Sequence, residues 1–202
     1  MLRFRGVPVQ ILRYAESDVP TEYGAVRILV YRVGGGSEEH VALVVGDVAG
    51  AEPVLVRVHS ECWTGEVLRS NKCDCRAQLD LAMRAIEASG RGAVVYLRQE
   101  GRGIGLGNKV RAYALQEKGL DTVDANRVLG FADDERTYDV AADILKDLGV
   151  GKVLLLTNNP AKVAGLAAHG IDVVQRVPAT TEPNPHNAEY LAVKTRRMGH
   201  ER

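Results

Sequence analysis

KVLLLTNNPAKVAGLAAHGIDVV, residues 152–174, decides the fold class. Lys152–Leu156 carries a short run of branched apolar side chains, Val153 to Leu156, the composition of a buried strand. Asn159 then precedes Pro160, a start signal for a helix. The asparagine oxygen can accept a first-turn N–H, and proline gives up nothing where the amide has no partner. The helix ends near Gly170, since glycine readily takes the left-handed conformation that closes a last turn. Ile171–Val174 is the next strand, so strand and helix alternate here.

Working outward, the same alternation runs back through the chain. Val140, Ile144, Leu145 and Leu148 mark a helix that stops at Gly149, and another helix runs from Asn108 through Ala112 and Leu115 to Gly119. Ala93–Leu97 reads as a strand, while Leu79, Ala82, Met83 and Ile86 place one apolar stripe on a helix ending near Gly90. The first third is different: Ala25–Val33, Val41–Val45 and Val54–Val58 are β-branched runs punctuated by Gly34-Gly35-Gly36 and Gly46-Asp47. Ala179–His186 reads as a loop and Ala188–Met198 as a final helix. Strands early and alternation later predict a mixed α/β (α+β) domain, and not a regular doubly wound sheet. One domain is expected over 1–202, with 1–40 its poorly assigned N-terminal segment.

Composition narrows the function. Hydrophobic residues make up 46% and charged residues 26%, which excludes disordered, collagen-like and coiled-coil chains. Lys+Arg and Asp+Glu are both 26, which argues against a protein living on a nucleic-acid backbone or an anionic membrane. The N-terminal MLRFRGVPVQILRYAESDVP has early positive charge but no continuous apolar stretch, so no signal peptide is expected. No window reaches the length of a membrane span, and a cytoplasmic protein is expected. All three cysteines fall between Cys62 and Cys75, too cramped and too odd in number for a disulfide framework.

Those cysteines are the sharpest chemical signal. Cys62, Cys73 and Cys75 offer three soft donors suited to zinc, and the absence of a fourth cysteine favours an open site that keeps a water. Buried apolar cysteines, or a structural zinc closed by His59, are the competing readings. A second signal is QEGRGIGL, residues 99–106, between a predicted strand and a predicted helix. Its glycines let backbone amides approach an anion, with Arg102 and Lys109 adding charge, and its spacing is not the dinucleotide fingerprint. A third is Asp133-Asp134-Glu135-Arg136, where carboxylates can bind magnesium or take a proton and the arginine can hold a phosphate, or where all are surface caps. Thr157 and Lys162 flank the Asn-Pro cap as ligand candidates, while Tyr113 alone reads as core.

In order along the chain, RVHSEC (57–62), CDC (73–75), QL (78–79), RQEGRGIGL (98–106), K-RAYALQ (109–116), DTV-AN (121–126), the D-x-R of Asp134 to Arg136, LLTNNPAK (155–162), RVP (176–178) and MGH (198–200) resemble bacterial GTP cyclohydrolase II. The resemblance spans about Val41 to His200. It implies a zinc-dependent hydrolase, one zinc per chain, that opens the guanine ring of GTP at C8 and cleaves the α–β phosphate link, the first step of riboflavin biosynthesis. The products would be 2,5-diamino-6-(5-phosphoribosylamino)pyrimidin-4(3H)-one, formate and pyrophosphate. Cys62, Cys73 and Cys75 match its zinc ligands. Arg57, Val58, His59, Ser60, Glu61, Gln78, Glu100, Gly101, Arg102, Thr122, Thr157 and Lys162 match its GTP-holding positions. Tyr113 matches a tyrosine tied to ring opening, Asp134 a proposed proton acceptor and Arg136 a proposed nucleophile, although holding the α-phosphate suits a guanidinium better. Magnesium would accompany the triphosphate and a homodimer is implied. The family usually has arginine before the CDC and glycine after it, where this chain has Lys72 and Arg76. Two alternatives stay open: an enzyme that stops at the formylated pyrimidine, and a non-catalytic zinc-containing guanine-nucleotide-binding protein.

Overall fold

The computed structural model describes residues 10–200, so the first nine residues of the N-terminal reading lie outside it. Seven strands form one sheet in the order β1-β2-β3-β5-β4-β6-β7. Three of them, β1 (Ile11–Thr21), β2 (Gly24–Val33) and β3 (Glu39–Val45), form an antiparallel meander whose last strand pairs antiparallel with β5 (Gly92–Leu97). From β5 onward the sheet is parallel through β4 (Val54–Ser60), β6 (Lys152–Leu156) and β7 (Asp172–Val177). The mixed α/β expectation therefore holds, with both halves sharing one sheet.

Parallel neighbours need crossover connections, and these supply the helices. β4 runs through α1 (Trp63–Glu66) and α2 (Cys75–Ser89) to β5, and β6 runs through α6 (Pro160–Ala168) to β7. On one face, Ala82, Met83 and Ile86 of α2 pack with Val26, Val94 and Leu156. On the other, Val140, Ile144 and Leu145 of α5 (Asp139–Asp147) and Leu166 of α6 pack on Val56, Val58, Val95 and Leu155. Burial of each large aliphatic side chain contributes about 1.5–3 kcal/mol. These two layers hold the parallel strands, and therefore their ends, rigidly.

The local signals behave as expected. Asn159 Oδ1 accepts from the Ala161 amide at 2.9 Å with Pro160 in the first turn, and Gly90 ends α2 with a φ of 73°. The helix expected from Asn108 begins earlier, as α3 (Gly105–Gln116). α4 (Thr122–Val128), capped by Asp121, was not foreseen, nor was β1, whose side chains are almost all exposed. The last helix, α7, spans Ala188–Met198 as expected.

Candidate active site

In an open parallel sheet ligands gather outside the carboxyl ends of the strands, and here three such ends converge. β4 runs out into Glu61 and Cys62, β5 into Gln99 and Glu100, and β6 into Thr157 and Asn158. The cysteines come first. The Sγ atoms of Cys62, Cys73 and Cys75 all lie within 4.8 Å of one another, with 3.7 Å between Cys62 and Cys73. Their backbone is brought together by α1, where Gly65 lies against the sulfurs. A Cβ on Gly65 would sit 2.9 Å from Cys73 Sγ and 3.2 Å from Cys62 Sγ. Three soft donors in a cradle that excludes even a methyl group fit a thiophilic cation such as zinc, and this is the one metal-capable cluster among the described residues.

Lysine supplies the counter-charge. Lys109 Nζ lies 3.1 Å from Cys62 Sγ and donates to Glu100 Oε1 at 2.8 Å. Hydrogen bonds from Cys73 and Cys75, with the Lys109 ammonium behind them, hold the Cys62 thiol far below its ordinary pKa. Glu100 has a second task, since its Oε2 accepts from the Trp63 amide at 2.6 Å and its Oε1 from Gly101. The turn that carries it is unusual: Gly101, Arg102 and Gly103 have φ of 63°, 63° and 92° in succession. For arginine the left-handed conformation costs about 1–2 kcal/mol. The Arg102 guanidinium lies inward, where both terminal nitrogens are buried without a partner among the described residues.

Beside the thiols a cleft of about 310 Å³ is lined by Glu61, the three cysteines, Tyr113, Thr122, Arg102 and Arg136. Tyr113 approaches Thr64 Oγ1 at 3.4 Å, and Thr64 Oγ1 lies 3.7 Å from Cys62 Sγ. Burial raises the Tyr113 pKa, so its phenol stays protonated at neutral pH. Deeper in lies a second, smaller cleft, lined by Arg57, Arg102, Arg136, Lys162 and Lys194 together with His59, Gln78 and Thr157. Buried cations demand partners. Arg57 donates to the Leu156 carbonyl at 2.9 Å and to Gln78 Oε1 at 2.5 Å, and burial pulls its pKa down to about 10. Lys162 Nζ donates to the Val58 carbonyl at 2.7 Å, and burial followed by the Arg57 and Arg136 charges drives its pKa well down. A polyanion in this cleft would reverse both shifts.

Most of the sequence-predicted residues line these two adjoining clefts, which share Ser60, Cys75, Arg102, Arg136 and Tyr190. Val58 and Asp134 do not. Val58 faces the hydrophobic core and offers only its carbonyl to Lys162. Asp134 grips Arg136 through two bonds of 2.8 and 2.6 Å, and Asp133 grips Arg127 through two of 2.8 Å. The adjacent carboxylates are thus each occupied by an arginine. Arg76 turns away from the thiols to Asp80 at 2.8 Å, and Lys72 Nζ lies 5.3 Å above the Tyr113 ring. His59 does not join the cysteines: its Nε2 lies 2.8 Å from Glu66 Oε1 and its ring stacks on Tyr96. A zinc closed by His59 is therefore not formed. Sequence reasoning left out Gly65, Lys194 and His200, of which only His200 carried a signal, in the MGH string; it named Lys109 only as positive charge beside the glycine-rich turn, not as a partner of Cys62.

A cysteine trio that could hold a metal ion, beside clefts lined by buried cations, sits at the carboxyl ends of the strands of a mixed α/β protein. The sequence matches the family model described as GTP cyclohydrolase II over residues 12–178, and the chain belongs to that family. It is 52% identical to GTP cyclohydrolase-2 of Actinobacillus succinogenes over 95% of this chain and 88% of that one. It is 54% identical to GTP cyclohydrolase-2 of Histophilus somni over 92% of this chain and 86% of that one. A riboflavin biosynthesis protein RibBA of Chlorobium phaeovibrioides is 53% identical over 94% of this chain, which spans 46% of that longer protein.

Proposed function

We propose that this protein hydrolyses GTP at C8 of guanine and at the α–β phosphate link, releasing 2,5-diamino-6-(5-phosphoribosylamino)pyrimidin-4(3H)-one, formate and pyrophosphate, the first step of riboflavin biosynthesis. The observation that supports this reading is the adjacency of the cysteine trio and Tyr113 to a cation-lined cleft, the two clefts sharing Ser60, Cys75, Arg102, Arg136 and Tyr190. Cys62, Cys73 and Cys75 would hold zinc, about one per chain, and the ion when bound would supply Lewis-acid activation of a water. Lys109 offsets the negative charge that three thiolates leave behind. Thr64 orients Tyr113, whose neutral phenol gives a proton to the departing ring nitrogen. Glu61 and Thr122 border the base.

The triphosphate, accompanied by magnesium as part of the substrate, lies against Arg57, Arg102, Arg136 and Lys162, with His59, Ser60, Gln78 and Thr157 around them. Glu100 and Gly101 hold the turn that presents Arg102. Arg136 acts as a clamp on the α-phosphate. Despite burial, its pKa is raised by the Asp134 hydrogen bonds, so loss of the proton that a nucleophile would need is made harder. Asp134 fixes the orientation of that fork. The cations are buried in a cleft, not spread over a face, which supports a small anionic substrate over a nucleic acid. We place the protein in the cytoplasm, in keeping with three unpaired thiols, and assign it a homodimer, in keeping with exposed Trp63, Val67, Leu68 and Val110.

Incubation with GTP, zinc and magnesium, with products identified by mass, tests the reading. Formate, pyrophosphate and the diaminopyrimidine phosphate support it. Accumulation of the formylated pyrimidine would instead place the protein among enzymes that stop after ring opening. Unchanged GTP would leave a nucleotide-binding protein.

A further inference from the structure

The MGH string at the end of α7 has no part in the chemistry above, yet its histidine reaches the deep cleft. Gly199 ends α7 with a φ of 65°, and the His200 amide then donates back to the Lys194 carbonyl at 3.2 Å. This reversal, which glycine performs at little cost, turns the chain inward. His200 and Lys194 consequently share the lining of one cleft with Arg57, Arg102, Arg136 and Lys162. We infer that α7 supplies a wall of the polyphosphate subsite, with Lys194 and His200 donating hydrogen bonds to phosphate oxygens. For the natural ligand this rests on the GTP reading.

Three observations carry the assignment. First, among the described residues His200 Nε2 is buried without a hydrogen-bond partner, as are Arg57 Nε, Arg102 Nη1 and Nη2, and Ser60 Oγ, all belonging to residues of this cleft. Orphaned buried groups are costly and rare, so several converging on one small space mark a missing acceptor-rich ligand. Second, the charge does not balance. Asp134 answers Arg136, and Asp74 answers Lys194 at 3.0 Å, while Arg57, Arg102 and Lys162 face the cleft with no carboxylate paired to them among the described residues. Third, Lys194 is held in place and not exhausted. Asp74 is itself fixed by Gln78 Nε2 at 2.6 Å and Thr181 Oγ1 at 3.3 Å, and it takes one of the three donors of the ammonium. Burial, reinforced by Lys194, Arg136, Lys162 and Arg102, lowers the His200 pKa to about 3, so it serves as a neutral donor that adds no charge to a crowded site.

The test is calorimetric titration of the full-length protein with inorganic tripolyphosphate and, separately, with guanosine. His200→Ala should weaken tripolyphosphate binding about tenfold, the equivalent of about 1.4 kcal/mol, with guanosine binding and metal content unchanged. His200→Gln, which keeps an N–H donor, should recover part of the loss. Tripolyphosphate binding within about twofold of the parent protein would overturn the assignment, as would an equal loss for both ligands. Should His200→Ala fail to fold, Lys194→Gln with the same two titrants decides in the same way. If the parent protein leaves GTP unchanged, the cyclohydrolase reading falls, yet the tripolyphosphate comparison still settles the role of α7.

Discussion

Replacing Gly65 with alanine should cost the protein its metal while leaving it folded. The added Cβ would lie 2.9 Å from Cys73 Sγ, 3.2 Å from Cys62 Sγ and 3.4 Å from Cys75 Cβ. Ordinary contact begins near 3.4 Å, so the Cys73 sulfur or the α1 backbone must yield by about half an ångström. Thiolate–metal distances tolerate roughly 0.2 Å, so the trio cannot absorb the displacement and keep its grip. Disturbing the support of a metal ligand typically costs 10–100-fold in affinity, and about that loss is expected here. Stability should change far less. Overpacking costs about 1–3 kcal/mol, and removing glycine from a helix returns up to about 1 kcal/mol. The net is about 0–2 kcal/mol, well inside the stability of an ordinary domain. The assay is metal content after dialysis and titration against a competing chelator, with a urea melt on the same sample. Metal retained at parental affinity would refute the cradle argument. So would a protein that no longer folds, because the damage would then not be confined to the sulfurs.

Three further outcomes follow from the same geometry. Tyr113→Phe should abolish formate release and leave pyrophosphate release largely intact; parallel assays of the two products decide, and surviving formate release removes Tyr113 from the chemistry. Arg102→Ala and Lys162→Ala should weaken GTP binding more than guanosine binding, and equal losses would reject both phosphate assignments. Stability should fall as pH drops from about 6.5 towards 4, because burial, opposed by the Glu66 hydrogen bond and aided by the Arg57 and Lys162 charges, lowers the His59 pKa to about 4. The unfolded chain takes up a proton there before the native state does, so the contribution is complete above about pH 6.5 and worth at most about 3 kcal/mol. Urea unfolding of parent and His59→Gln proteins across that window should show a shallower pH slope in the variant; identical slopes would count against it.

Where a signal is local, the sequence showed it plainly. The stripe of Ala82, Met83 and Ile86, the Asn159-Pro160 cap and the left-handed Gly90 and Gly149 depend on neighbours a few residues away, and each stands where expected. β1 was illegible because both of its faces are largely exposed, which erases the alternation that marks a strand, and its place is set by the hairpin with β2. Gly65 has an ordinary φ, so only the three-dimensional approach of the sulfurs explains it. Lys194 was invisible for a related reason, since Asp74 lies 120 residues away in the chain. The tyrosine and the deep cations were legible only through the ordered motifs of a family, for Tyr113 on its own looks like core. Val58 was included with its motif, and its alternation along β4 sends the side chain to the core instead.

The sheet order has a consequence for synthesis of the chain. The antiparallel meander is made of neighbours in sequence and can form as soon as it emerges. The thiol trio needs only residues 62–75, with Glu100 and Lys109 following soon after. β4, by contrast, is flanked on its far side by β6, with Val54 opposite Val153, so the strand carrying Arg57 stays uncovered until three quarters of the chain exists. The deep cleft must wait longer still, for Lys194 and His200. A growing chain can therefore gather its sulfurs well before α7 joins the cation-lined cleft, so a product ended ahead of α7 would keep the cysteine trio while lacking Lys194 and His200 in that cleft.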